Sequence, residues 1–298
     1  MPDLKENTAA KKYRIKLDVD NKNDARIIAF SYIFPQSIVL DVGCACGDFG
    51  VLLNQDKNCT VYGMEYNAGS IKVAEKTNAY RQIQKFDLNK LEENNFDNYH
   101  EYFTCIAFID VLEHLMEPDV VLKKFKTFLK KDGFFIISIP NIGHCSIKAK
   151  LLLNDFTYTE MGILDKTHVR FFTYKSIVSL FSSLALEIEE SKGVLSDVMF
   201  HEPGSNNHLP FAVKRLIYQD PHSYVFQYVM KVKPSNLDPI RLHQHNQQKI
   251  QIKWNTIMAT IGKMRFQRVA RTFFPPKFLP INAGKKFYSL LKRFTHLF

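Results

Sequence analysis

A short apolar run, Ile38-Val39-Leu40, leads directly into Asp41-Val42-Gly43-Cys44-Ala45-Cys46-Gly47, so that a strand ends on an acid and a glycine turn. Strands covered on both faces read as near-continuous apolar runs, and a glycine turn from strand to helix is the opening unit of an open α/β sheet. The chain then repeats that unit. The spacing predicts a helix over residues 48–55, a strand over 60–64, a helix capped by Asn67 and running to Lys76, and a third strand over 80–86. Residues 103–109 read as a fourth strand, Pro118 opens a helix to about Lys130, and residues 134–139 read as a fifth strand stopped by Pro140. A helix over residues 23–34 precedes the series. A helix over 175–184 and strands over 186–190 and 224–232 follow it. Alternating strands and helices of this kind make a doubly wound α/β fold with a mostly parallel sheet.

In such sheets ligands lie outside the carboxyl ends of the strands. Those ends carry Asp41, Glu65, Asp87 and Asp110, four carboxylates expected on one rim. Ala45-Cys46-Gly47-Asp48-Phe49-Gly50 is close to a dinucleotide fingerprint, but Asp41 and Asp48 would face a pyrophosphate with like charge. A cationic, phosphate-free ligand suits the rim better, and S-adenosylmethionine carries a sulfonium and an ammonium. An NAD-dependent enzyme and a cofactor-binding protein without turnover are the alternatives from other classes.

On these residues the chain resembles the class I S-adenosylmethionine-dependent methyltransferases, whose fold is Rossmann-like. Val39-Leu40-Asp41-Val42-Gly43-Cys44-Ala45-Cys46-Gly47 resembles their first motif, with Ala45 in place of the commoner middle glycine. Glu65 matches the ribose-binding acid, Asp87-Leu88 the adenine-side motif, and Asp110-Val111-Leu112-Glu113-His114-Leu115 the segment after the fourth strand. The resemblance implies S-adenosylmethionine as cofactor, held by Asp41, Gly43, Cys44, Gly47, Glu65, Tyr66, Asp87, Leu88, Asp110 and Val111. Residues 138–144 and 162–173 further resemble a bacterial subgroup associated with glycosyltransferases and surface-polysaccharide synthesis. That implies O-methylation of a sugar or glycan-linked acceptor, with a lipid, quinone or amine as the alternative acceptor.

Methyl transfer to a hydroxyl needs a base near the methyl group. His144, His168 and His114 are the candidates: His114 and His144 follow the fourth and fifth strands and should both reach the rim, and His144 is favoured as base with His168 and Arg170 orienting the acceptor. Arg170, Asn141 and Asp165 are candidates for substrate binding. His144 as a cap on the next helix, and Arg170 paired internally with Asp165, are the bland readings.

Three domains are expected: a polar segment over residues 1–20, the methyltransferase domain over 21–234, and a basic tail over 235–298. From Pro239 onward there are 12 Lys or Arg and no Asp or Glu, whereas the rest of the chain has 28 basic and 30 acidic residues. Residues 250–269 and 284–298 have amphipathic helical spacing, with Phe287, Leu290, Leu291, Phe294 and Phe298 on one face of the second. Such a tail fits an anionic membrane surface, a packed appendage on the core or on a second subunit, or, less well, nucleic acid. With no signal peptide and no apolar run of spanning length, a cytoplasmic location is expected, peripheral to the membrane if the tail docks there. The five cysteines include no arrangement that completes a zinc site with a second pair, and no metal centre is expected.

Overall fold

The computed structural model describes residues 17–91, 99–196, 209–253, 255–257 and 259–261. Helix α1 (Ala25–Tyr32) precedes β1 (Ile38–Val42), α2 (Asp48–Lys57), β2 (Thr60–Glu65), α3 (Ala68–Glu75) and β3 (Tyr80–Lys85). Then come β4 (Phe103–Ile109), a 3₁₀ turn (Leu112–His114), α4 (Pro118–Lys126), β5 (Leu129–Pro140) and α5 (Cys145–Leu152). The described chain continues through α6 (Tyr174–Ser183), β6 (Leu186–Leu195), α7 (Phe211–Tyr218), β7 (Val225–Pro234) and α8 (Pro239–Lys249).

The seven strands form one sheet in the order β3-β2-β1-β4-β5-β7-β6. β1 to β5 are parallel, and β7 inserts antiparallel between β5 and β6. Strand order reverses between β1 and β4, so a crevice opens at their carboxyl ends. The apolar runs are explained by two covered faces. On one, Val39, Val61, Cys105, Ala107 and Ile136 pack with Ala29, Ile33 and Leu53 of the flanking helices. On the other, Phe108 meets Phe125 and Phe135 at ring-centroid distances of 5.3 and 6.0 Å.

The expected helix to Lys130 ends at Lys126, because Leu129 already pairs with Phe103 in the sheet. The register then shifts before Cys105 meets Phe134, which absorbs the turn of Lys131, Asp132 and Gly133. Helix α8 lies beyond residue 234 and packs on β6 and α6. Its buried Asn246 bridges them: Oδ1 accepts from Ile188 N at 2.8 Å, while Nδ2 donates to Leu186 O at 2.9 Å and to Ser182 Oγ at 3.2 Å. One compact unit ends at Lys253 and a second begins at Trp254. Residues 255–257 and 259–261 of the second are helical, and the amphipathic stretch over 284–298 lies outside the described residues. No helix among the described residues is long and apolar enough to cross a membrane.

Candidate active site

The turn after β1 is built on three left-handed residues, Gly43 (φ 72°), Ala45 (φ 46°) and Gly47 (φ 88°). A Cβ on Gly43 would stand 2.7 Å from Val111 Cγ2, so glycine is required there on two counts. Ala45 adopts a conformation that disfavours any Cβ. The Glu65 carboxylate offsets that cost, because Oε2 accepts from Ala45 N at 2.9 Å and Oε1 from Asn67 N at 2.7 Å. One side chain at the end of β2 thus fixes both the turn after β1 and the start of α3.

Gly47, Gly50 and Gly63 leave room for a side chain beneath the turn. A Cβ on Gly50 would overlap the Tyr80 ring, and a Cβ on Gly47 or Gly63 would lie 3.0 Å from it. Tyr80 fills the space beneath the turn and donates from its hydroxyl to Asp41 Oδ2 at 2.7 Å. Asp41, expected on the ligand rim, is therefore a buried anchor at 3% exposure. Burial pushes its carboxyl up to about 7, opposed by the Tyr80 hydrogen bond and reinforced by the Glu65 charge. A carboxyl raised above its unfolded value favours the folded state when protonated and loses that advantage as pH rises through the folded value. Relative to Asp41→Asn, wild-type stability is thus expected to fall by up to roughly 4 kcal/mol between about pH 4 and pH 7, then level off. Urea melts of both proteins across that range measure the difference, and a difference constant with pH would remove the assignment.

The remaining rim is open. Glu65, Asp87 and Leu88 are half-buried, Tyr66 and Asp110 are exposed, and Cys44 and Val111 are buried. Asp110 takes a left-handed conformation at φ 56°. It is held by two residues that sequence reasoning missed. Ser138 Oγ accepts from Asp110 N at 2.9 Å and donates to Asp110 Oδ1 at 2.8 Å. Gln227 Nε2 donates to Asp110 Oδ1 and, at 3.0 Å, to Ser138 Oγ. Both are buried polar residues inside apolar stretches of β5 and β7, and that break in pattern is the signal that marks them. The turn and rim segments 41–47, 65–68, 87–89 and 110–115 contain no Lys or Arg. A phosphate-bearing ligand would find no counter-charge on these segments, whereas a sulfonium and an ammonium fit them. Each Glu65 oxygen has a second lone pair, which leaves capacity for ribose hydroxyls.

Two of the three candidate histidines are brought together. His114 Nδ1 lies 3.1 Å from Thr167 O, and His168 Nδ1 lies 3.0 Å from Ile163 O. A carbonyl can only accept, so in the neutral imidazoles both Nδ1 atoms carry the proton and both lone pairs sit on Nε2. The rings meet edge-on with centroids 4.8 Å apart. Beside them lies Glu113, which sequence reasoning passed over as a site residue. Its Oε1 is 3.9 Å from His168 Nε2. Its backbone carbonyl accepts from Val169 N at 2.9 Å and Arg170 N at 3.0 Å, which ties the two segments together.

The other candidates are placed elsewhere in the hydrogen-bond network. His144, favoured as base, is fully buried and caps α5: Nδ1 pairs with Ser146 Oγ at 2.9 Å and accepts from Ser146 N at 3.3 Å. Nε2 faces Ser196 O at 3.4 Å, so neither nitrogen is presented to a substrate. His144→Ala is expected to cost about 2–4 kcal/mol of stability through the lost cap and the vacated ring volume, with kcat of the folded fraction unchanged. Asn141 is a latch, donating to His222 O at 3.0 Å and Val225 O at 2.8 Å while accepting from Gly143 N at 2.9 Å. Asp165 Oδ1 accepts from Thr167 N at 2.9 Å and Thr167 Oγ1 at 2.7 Å, stabilising the turn that presents His168. Arg170 is exposed and donates from Nε to Met116 O at 3.0 Å, not to Asp165.

A family model described as a methyltransferase domain matches residues 15–191. No curated protein sequence matches the chain. Among solved structures, the StiE O-MT, residues 942–1257, superposes with a TM-score of 0.50 at 15% identity over 75% of this chain and 78% of that one. A chain of the complex between the Haloferax volcanii Trm112 methyltransferase activator and a methyltransferase gives 0.51 at 10% identity over 79% and 96%. At these identities the likeness is one of fold. The matched region contains the glycine turn, the acidic rim and the histidine pair, and the chain belongs to the methyltransferase-domain family as an S-adenosylmethionine-dependent methyltransferase.

Proposed function

We propose that the chain methylates a hydroxyl of a sugar or glycan-linked acceptor. The observation that carries this reading is His114, whose Nδ1–H is engaged by the Thr167 carbonyl and whose Nε2 carries a lone pair beside the acidic rim. S-adenosylmethionine supplies an electrophilic sulfonium methyl group, so the protein need only orient the two partners and accept a proton. The glycine turn and Glu65 would hold the donor's amino-acid and ribose portions, and Asp87 and Leu88 its adenine side. His114 Nε2 accepts the proton of the acceptor hydroxyl as the oxygen takes the methyl group.

A partly exposed aromatic wall supports a ring-shaped acceptor. Phe156 packs edge-on against Tyr158 and Phe171 at centroid distances of 5.6 and 5.7 Å, on the same segment that carries His168. Mass spectrometry of products from labelled donor, offered candidate glycans, lipids, quinones and amines, tests the reading. A methyl group on a glycan oxygen supports it, and transfer only to an amine nitrogen overturns it. The aromatic and basic tail supports docking at an anionic surface. The full chain is then expected to sediment with anionic but not neutral vesicles.

A further inference from the structure

We propose that Glu113, His114 and His168 form a binding site for one divalent transition-metal ion, with Zn²⁺ the best match to the ligand set. One ligand atom from each of the three lies within 4.8 Å of the others. Around an ion bound at about 2.1 Å in tetrahedral geometry, ligand atoms sit about 3.4 Å apart. Small side-chain rotations close that gap.

Glu113 is the strongest reason to place a cation here. The residue is 1% exposed, and among the described residues neither carboxylate oxygen has a hydrogen-bond partner. A buried carboxylate left without donors is strongly disfavoured unless a cation or a proton meets it. The second reason is the orientation of the imidazoles. Each commits Nδ1–H to a backbone carbonyl, Thr167 O for His114 and Ile163 O for His168. That is the outer arrangement that fixes the tautomer of metal-ligating histidines and raises their basicity. The third is backbone stiffness, because Glu113 O accepts from both Val169 N and Arg170 N. The two ligand-bearing segments are thereby held in register before any ion arrives.

Two imidazoles and one carboxylate suit a borderline cation such as Zn²⁺, whereas Mg²⁺ prefers an all-oxygen shell. Three protein ligands leave at least one coordination position open, the mark of a catalytic rather than a structural site. His114 is the half-exposed member, so that position faces the solvent side of the cluster. The inference rests on the hydroxyl reading above only in what fills the open position. On that reading it is the acceptor oxygen, whose proton leaves to water while the O–CH₃ bond forms and the S–CH₃ bond breaks. His114 then donates its lone pair to the ion instead of to the proton.

The test is calorimetry on the full chain, stripped with a chelator and titrated with Zn²⁺ and separately with Mg²⁺. One saturable Zn²⁺ site is expected, weakened about 10²-fold by Glu113→Gln and by His168→Ala and unchanged by His243→Ala on α8. Co²⁺ absorption on the wild-type protein gives a second readout that needs no variant. Intense visible bands of a tetrahedral or five-coordinate ion are expected, and the weak spectrum of the aquo ion overturns the proposal. Zn²⁺ binding that survives both Glu113→Gln and His168→Ala in folded protein also overturns it. Glycan methylation by metal-free enzyme would leave the proposed function standing and remove only the ion from it.

Discussion

Replacing His114 with alanine is expected to lower kcat for methyl transfer by about 10²–10⁴-fold, with affinity for S-adenosylhomocysteine nearly unchanged. The split follows from position. On the proposed reading the donor is held by the glycine turn, Glu65 and the rim acids, and among the described residues none of those groups hydrogen-bonds to His114. The ring is half-buried and is fixed by one backbone carbonyl and by edge-on packing against His168, so its removal leaves little strain behind. The loss should therefore appear in the chemical step and not in donor binding. His114→Gln retains a polar side chain but no base of suitable strength, and is expected to be as slow as alanine. Single-turnover kinetics beside calorimetry with S-adenosylhomocysteine separate the two quantities. If donor affinity falls in parallel with kcat, His114 is part of the cofactor pocket instead. The expected loss is the same whether Nε2 receives the proton or ligates a cation, so chelator sensitivity of the wild-type enzyme decides between them.

The parallel strands β1, β2 and β4 were legible because burial on both faces leaves apolar runs, and Phe103 to Ile109 is found where the sequence puts it, whereas β3 is a half-exposed edge strand carrying Arg81, Gln82, Gln84 and Lys85. The start of β5 was hidden, since Lys130, Lys131, Asp132 and Gly133 interrupt the apolar run although Leu129 already pairs with Phe103. Helices α5 and α7 were not read although α1 and α3 are equally short, because α5 is capped by a histidine and α7 has no side-chain cap, whereas Asp24 and Asn67 cap the other two. The site was half legible. Local motifs located the turn, Glu65 and the segment after β4, since each is a strand end. They misread Asp41, because nothing in Asp41-Val42-Gly43 says that Tyr80 will fill the space beneath. They misread His144 for a related reason: a histidine just after a strand is as good a helix cap as it is a base. Glu113 escaped because its meaning depends on His168, which reaches it only through the tertiary fold. A search for paired cysteines and for closely spaced ligands does not find such a cluster.

Glu65→Ala is expected to weaken donor binding by about 10²-fold or more. The carboxylate's contacts to the ribose hydroxyls, each worth about 1.5–3 kcal/mol, are lost, and every factor of ten in affinity corresponds to about 1.4 kcal/mol. The larger part of the effect is indirect. With the carboxylate gone, Ala45 N loses the partner that holds the turn, while Ala45 keeps a left-handed backbone that costs about 1–2 kcal/mol. The turn then relaxes away from the geometry that receives the donor. A second substitution isolates the indirect part. Ala45→Gly removes the penalty of the left-handed conformation, so in the Glu65→Ala background it is expected to recover about a tenfold share of the lost affinity. In the wild-type background, where Glu65 already holds the turn, the same change is expected to alter affinity by less than about threefold. Calorimetric titration of the four proteins of this cycle with S-adenosylhomocysteine measures the coupling directly. Equal effects of Ala45→Gly in both backgrounds would mean that Glu65 touches only the ligand. A larger rescue in the Glu65→Ala background would mean that one carboxylate both shapes the turn and binds what the turn receives.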